Sequence, residues 1–551
     1  MAQTELQLIA PLSVGVGVGV AAHLIYFNRY ECHRQTQAFV AVFVAYLLGA
    51  PLVLSRLYAQ STTSATIEAV LLLLAFLFGA IGSTLVYRIF FNPLNRFPGP
   101  FAARLTNFYI AFRVGKTLQQ WRILERLHQE YGPIVRTGTS RVSIVDPDWV
   151  EPSYSQNAVV QKGPWYDNNW PQPSLHQERS RAAHDLRRKS WAPAFSDKAL
   201  REYESHIKTF NRKFLLRVAE HQGGRMNVSR WFNLYSVDLM GALAFGKNYG
   251  MMDSGEKHAV LNVISTGMGA LGLTLPTWFM QLLRLVPGDP AGIKKLLRFS
   301  QDELKEAIDN NFHASKDTKV SPGSVISSWL HENYKDIPNP WESRTFCMDS
   351  QLIIVAGSDT TAAALTWLFY YLAQSPDEVQ KLRNELRACA VGEWSDKDIR
   401  HCEHLNASIN EALRLALIGP TGIYRTSPPE GMQVGEVFLP GNVEYNISQY
   451  IIGRDEAIYT QADQFIPERW YSKPELIKHK KAFAPFLMGS FGCIGKNLAI
   501  MEMRTLTTSI LLSYDVGFAP GENGNRIWNE SREHFTMDLA PLDLVFTPVK
   551  R

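Results

Sequence analysis

Apolar and polar positions divide the chain into two unlike parts. Three charge-free runs lie before residue 90: Ile9 to Phe27, Ala38 to Leu54, and Ala69 to Tyr87, the last holding Leu71 to Leu74 in succession. Each approaches the roughly 20 apolar residues that carry a helix across a bilayer. Residues 1–90 are therefore expected to hold three transmembrane helices, at about 9–27, 38–54 and 69–87. A cleaved leader followed by two buried helices is the competing reading. Against it, Glu5 but no Lys or Arg precedes the first run, whereas a leader begins with basic residues. Arg29, His33 and Arg34 lie in the first loop, Arg56 in the second, and Arg88 and Arg96 follow the third run. An excess of Lys and Arg marks the cytosolic side, which places the first loop and everything after Arg88 there. Gly15 and Gly19 form a G-x-x-x-G able to pack helices, set in a Gly-Val alternation. Residues 91–105 read as a hinge, because Pro93, Pro98 and Pro100 cannot continue a helix.

From residue 106 to 551 the pattern is that of one large domain. Charged and apolar residues mix at helical spacing over Leu118 to Tyr131, Asp197 to Glu220, Gln301 to Asn311, Pro376 to Ala390 and Lys496 to Ser513. Ser375 before Pro376 reads as a capping hydroxyl and a first-turn proline. Strand-like stretches are short: Ile134 to Arg136, Val142 to Val145, Met432 to Leu439 and Leu542 to Thr547. The expected fold is mainly α with small β-sheets, preceded by the N-terminal transmembrane helices.

Charge and cysteine content narrow the function. Lys plus Arg is 56 against 52 for Asp plus Glu, a net charge of +4, which gives no basic excess for nucleic-acid binding. The five cysteines, Cys32, Cys347, Cys389, Cys402 and Cys493, are odd in number and form no C-x-x-C. That argues against a disulfide framework or a structural zinc site and for a reducing compartment. The N-x-S sequons at Asn227, Asn406, Asn446 and Asn529 then carry no sugar.

One cysteine stands apart. Phe486-Leu-Met-Gly-Ser-Phe-Gly-Cys-Ile-Gly495 is a glycine-rich loop leading into the helix expected at Lys496. Glycines let backbone N–H groups reach a sulfur, and a helix start is expected to lower a thiol pKa. A buried structural cysteine is the bland alternative. A second segment, Ala356-Gly-Ser-Asp-Thr-Thr361, interrupts the apolar run Leu352 to Ala373. Polar residues there are costly, which suggests either a locally disrupted helix at a functional site or, less well given Asp359, a fourth membrane span. Glu411 and Arg414 share a helix face at i, i+3, and Pro467-Glu-Arg-Trp470 follows. His184 and Arg188 stand at i, i+4, and Arg425 lies in Ile423-Tyr-Arg-Thr426. Arg187, Arg188 and Lys189 also read as an exposed basic face.

Taken in this order, the segments resemble those of the cytochrome P-450 superfamily. The cysteine loop is similar to F-x-x-G-x-R-x-C-x-G, matching at Phe486, Gly489, Cys493 and Gly495, with Phe491 where the family has an arginine. The resemblance implies heme b held by Cys493 as axial iron ligand, with Phe486, Gly489 and Gly495 shaping its loop and His184, Arg188 and Arg425 near the propionates. It implies a proton-delivery role for Asp359 and Thr360, matching A-G-x-[DE]-T-[TS], and a buried ion network of Glu411, Arg414 and Arg469. Substrate walls are expected at Trp165 to Pro173, Gly422 to Tyr424 and Phe535 to Ala540. A membrane anchor and proline hinge are similar to those of microsomal members. The triple anchor and Lys162 to Asp167 resemble fungal members of secondary metabolism. The implied activity is oxidation of a lipophilic small molecule with O2 and NADPH, at the endoplasmic reticulum membrane with the catalytic domain cytosolic. Because no G-x-G-x-x-G lies within a βαβ pattern, electrons are expected from an NADPH-cytochrome P-450 reductase, with cytochrome b5 as a second donor. The alternatives are a reductase-independent heme-thiolate isomerase or dehydratase, and a non-catalytic heme-binding membrane protein.

Overall fold

The computed structural model describes residues 2–221, 223–258, 261, 268–288, 295, 298–303, 305–306, 326 and 344–549. Three helices open the chain: α1 (Ala2–Ala22), α2 (Thr36–Leu57) and α3 (Thr62–Val86). All three are long and apolar enough to cross a membrane, and their side chains are largely uncovered. α1 packs closely along α3. A Cβ on Gly19 would lie 2.1 Å from the Phe76 carbonyl oxygen, and one on Gly79 would lie 2.1 Å from that of Val16. The glycine spacing in α1 therefore does serve helix packing, joined by a hydrogen bond between His23 Nδ1 and Ser83 Oγ at 2.8 Å.

The remaining chain is mostly helical. Its principal helices are α4 (Gln120–Tyr131), α5 (Arg181–Trp191), α6 (Asp197–Glu220), α7 (Val228–Phe245), α8 (Arg344–Gln374), α9 (Pro376–Cys389), α10 (Glu403–Leu415) and α11 (Lys496–Leu511). α8 runs through the main core, packed by α7 along much of its length and also by α10 and α11. It too has the length and composition of a membrane span, but most of it is buried inside the protein, so the fourth-span alternative fails. The helix expected over 301–311 is described as far as residue 306 without residue 304; the rest lies outside the described residues.

The sheets are small. One has five strands in the order β1 (Ile134–Arg136), β2 (Arg141–Ile144), β5 (Glu444–Ile447), β4 (Tyr424–Thr426), β3 (Gln161–Lys162), with β2 and β5 parallel and the other pairs antiparallel. It covers a second apolar cluster containing Val142, Trp149, Tyr445 and Ile447. The stretch 432–439 is not one strand but a hairpin, Met432–Val434 and Val437–Leu439, turned at Gly435. A last hairpin, β6 (Arg532–His534) and β7 (Thr536–Asp538), reaches α8. At the start of α9, Pro376 takes the first turn as expected, but the Ser375 hydroxyl caps nothing.

Candidate active site

Four elements supply the site: α5, α8, the β3–β4 edge, and the loop that enters α11. The loop is closed by the Cys493 N–H donating to the Phe486 carbonyl at 2.8 Å. Gly489 turns it with φ of +63°, and a Cβ there would strike the Ser155–Gln156 backbone at 2.7 Å. Gly489 is thus required by backbone conformation and by space. At Gly495 an added Cβ would meet only ordinary contacts, at 3.9 Å from both Cys493 Sγ and Phe195.

Cys493 has exposed surface, yet protein surrounds its thiol closely enough for burial to be the largest influence on its titration. Burial pushes the free thiol up; the N–H groups of Gly495 and Lys496 and the charge of Arg188 oppose this without overcoming it. The helix start acts in the expected direction, but the net shift is the reverse of the expected one. Coordination by a metal would deprotonate the thiol outright.

The neighbours of Phe491 are cationic. Lys162 Nζ lies 4.6 Å from its ring centroid, Arg425 5.2 Å and Arg181 5.8 Å, with the His184 ring edge-on at 4.7 Å. Lys162 and Arg425 are cross-strand partners in the β3–β4 pair, and both are almost fully buried. Lys162 donates to the carbonyls of His176 (2.7 Å) and Leu175 (3.4 Å). Arg425 donates to the Tyr424 carbonyl at 3.1 Å, while its Nε is buried without a partner among the described residues. Burial, then the Arg425 charge, pushes Lys162 well below the ordinary lysine range. Two like charges facing each other in the interior are unfavourable, and a bound dianion corrects this, so the pair fits the two carboxylates of heme. The sequence reading did not find Lys162.

The propionate candidates on α5 separate. His184 is held to about 4, first by burial and then by the Lys162 charge, so its ring is neutral at pH 7. Arg188 ties α5 to the cysteine loop through the Gly492 carbonyl at 2.7 Å. Arg187 does not belong to an exposed basic face: its guanidinium grips the buried Asp349 of α8 with contacts of 2.7 and 2.9 Å. Of the three, Lys189 is exposed.

The local disruption expected in α8 is not found. The helix is continuous, and the Thr360 hydroxyl donates back to the Ala356 carbonyl at 2.7 Å. Gly357 leaves room for Met240 of α7, which a Cβ would meet at 2.6 Å. Asp359 is half-buried by area but deep in the fold, and burial pushes its carboxyl up. It accepts a hydrogen bond from Thr536 at 3.3 Å, and Thr536 also approaches His534 Nδ1 at 3.3 Å. Thr536 lies in the wall stretch expected at Phe535 to Ala540, whereas His534 was not singled out from the sequence. The expected wall residue Phe535 sits between them with φ of +88°, stacked on Trp165 at 4.8 Å.

Behind the cysteine loop, Glu411, Arg414 and Arg469 meet in the interior, all with fully buried side chains. Glu411 accepts from Arg414 at 2.7 and 2.9 Å, from Arg469 at 2.8 Å and from the Trp470 indole at 2.9 Å. The remaining guanidinium N–H groups reach carbonyls, including those of Gly453, Gln464, Thr460 and Gln461.

A profile of the cytochrome P450 family matches residues 98–545. The chain is 38% identical to cytochrome P450 monooxygenase lcsK of Purpureocillium lilacinum, over 99% of this chain and 98% of the relative. It is 37% identical to tryprostatin B 6-hydroxylase of Aspergillus fumigatus, over 96% and 95%, and 35% identical to cytochrome P450 monooxygenase notG' of Aspergillus versicolor, over 97% of each. The chain belongs to the cytochrome P450 family. It is a heme-iron monooxygenase.

Proposed function

We propose that the protein is a membrane-anchored cytochrome P450 that oxidises a lipophilic product of secondary metabolism, as its relatives' names suggest, with electrons from an NADPH-cytochrome P-450 reductase and, as a second donor, cytochrome b5. Residues 1–90 span the endoplasmic reticulum membrane three times, 91–105 form the hinge and 106–551 the cytosolic catalytic domain. Heme bound through Cys493 supplies the oxygen-activating iron centre. The observation that carries this reading is the Cys493 loop, whose Phe491 ring lies against the buried Lys162–Arg425 pair.

The protein's own groups then have distinct tasks. Cys493 would hold the iron, its loop closed by the Phe486 carbonyl and the Gly489 turn. Lys162 and Arg425 would hold the propionates, with neutral His184 and Arg188 fixing the loop. Asp359, raised by burial and hydrogen-bonded to Thr536, passes protons, and the Thr360 hydroxyl relays them after leaving the Ala356 carbonyl. Glu411, Arg414 and Arg469 act as a brace.

The test is an absorbance spectrum of the reduced, carbon-monoxide-bound protein in membranes, beside Cys493→Ala. A strongly red-shifted Soret band in wild type that is lost in the variant is expected. Its absence from folded wild-type protein, or its survival in Cys493→Ala, would refute the assignment.

A further inference from the structure

The loop between α1 and α2 does not hang free below the helices. It is plugged into the catalytic domain by charges. Asp167, buried in the turn Pro164–Asn169, meets His33 Nε2 at 2.7 Å, Arg34 at 2.9 and 3.0 Å, and Arg179 at 2.5 Å. Arg179 also holds Glu31 of the same loop at 2.8 and 3.0 Å and the Lys162 carbonyl at 3.0 Å. The Arg34 guanidinium lies 4.1 Å above the Trp170 ring. Burial pushes the Asp167 carboxyl up, but hydrogen bonds from His33 and Arg34 and the Arg179 charge outweigh it and hold it at about 2. Formal charges of the two acids and two arginines cancel around the buried Asp167, while Glu31 and Arg34 keep exposed surface.

A second tie comes from the short helix Thr277–Leu283, which packs against α2. Its Gln281 donates to the Asp167 carbonyl at 2.7 Å, and the following Arg284 donates to the Trp170 carbonyl at 2.8 Å. The turn is thus clamped from the membrane side. Its other face is Trp165, stacked on Phe535 of the hairpin whose Thr536 bonds Asp359. Phe535 occupies the left-handed region, which a bulky residue keeps only when its surroundings hold it there. Membrane loop, charged cluster, turn, aromatic stack and the carboxylate of α8 form one continuous chain of contacts.

We infer that the α1–α2 loop is a working part of the substrate-site wall. His33 and Arg34 latch Asp167, and Asp167 is a positioning residue that sets where Trp165 and Phe535 stand over the site. The anchor then shapes what the enzyme accepts as well as where it resides. This inference rests on the P450 site proposed above.

The test compares His33→Ala/Arg34→Ala with wild type as full chains in membranes, using two azole probes that ligate heme iron and shift its spectrum. Imidazole is too small to touch the wall; clotrimazole fills it. The double variant is expected to keep the carbon-monoxide band and bind imidazole normally, while clotrimazole affinity falls about tenfold. The pair His33→Gln/Arg34→Lys, which keeps donors and charge, is expected to recover most of it. Unchanged clotrimazole binding would overturn the inference, and so would equal weakening of both probes. If the double variant loses heme, Arg34→Ala alone is judged by the same two probes. A wild-type protein without the band would instead refute the proposed function.

Discussion

Lys162 and Arg425 face each other across two short strands, and nothing in either residue's sequence neighbourhood announces the pairing. Like charges opposite each other on a sheet repel, and burial multiplies the penalty because a charge loses its hydration there. Phe491 sits among them where the family pattern has an arginine, offering its ring face to cations that already surround it. Lys162 thus places a cation over the ring of Phe491, beside the position where the family pattern has an arginine. With Lys162 on a propionate, as proposed, Lys162→Gln would remove one charge-assisted hydrogen bond, worth about 1.5–3 kcal/mol, or roughly 10- to 100-fold in heme affinity. Transfer of heme from the variant to excess apomyoglobin should be faster by that order, with Lys162→Arg close to wild type. Equal transfer rates for Lys162→Gln and wild type would remove Lys162 from the heme cradle.

At the scale of elements, legibility followed locality. The cysteine loop, the α8 hexapeptide and the Glu411–Arg414 pair are contiguous, so their residue types and spacing were readable. α6 was readable end to end, because one face is polar and Ser196 caps it. α7 was missed for the opposite reason. It is buried on nearly every side and shows no apolar stripe, and its signals were its ends, the Asn227 cap and the left-handed Gly246. The latch on Asp167 and the Lys162–Arg425 pair join residues far apart in the chain, which periodicity cannot bring together.

α11 carries a further consequence. Glu502 is buried on it, its Oε2 lacks a partner among the described residues, and burial alone pushes its carboxyl up to about 8. An unfolded glutamate titrates near 4.3. Below that pH both states are protonated; above it the unfolded chain releases its proton while the fold retains it. Stability is therefore full at low pH and is lost as pH rises towards and through about 8. Glu502→Gln should remove this loss, with an advantage over wild type that grows between pH 5 and pH 8 to about 1–3 kcal/mol. Thermal unfolding across that range measures it, and a difference independent of pH would exclude Glu502 as the cause.

Contacts at the ends of α2 and α3 fix which of those ends lie beside the catalytic domain. The latch holds residues 31–34 against the catalytic domain, and beyond α3 the chain is held to it again, by Arg88 donating to the Leu105 carbonyl at 2.6 Å and Asn92 donating to that of Thr139 at 3.0 Å. One end of α2 and the far end of α3 thus lie on the catalytic side. α2 has 22 residues, which at 1.5 Å per residue separates the loop near Tyr58 from the latch by about 33 Å, the thickness of a hydrocarbon core. The loop charges agree, with Arg29 and Arg34 on the catalytic side and Arg56 on the other. Asn529 lies in a sequon and is exposed, so a lumenal catalytic domain would carry sugar there, whereas a cytosolic one stays bare. A flexible insert bearing a new sequon between Tyr58 and Ser61 should be glycosylated in microsomes, seen as an endoglycosidase-sensitive gel shift, while the protein without the insert shows none. Sugar on the protein without the insert would reverse the topology and put the latch, the hinge and the reductase-facing surface on the wrong side of the membrane for the proposed electron supply.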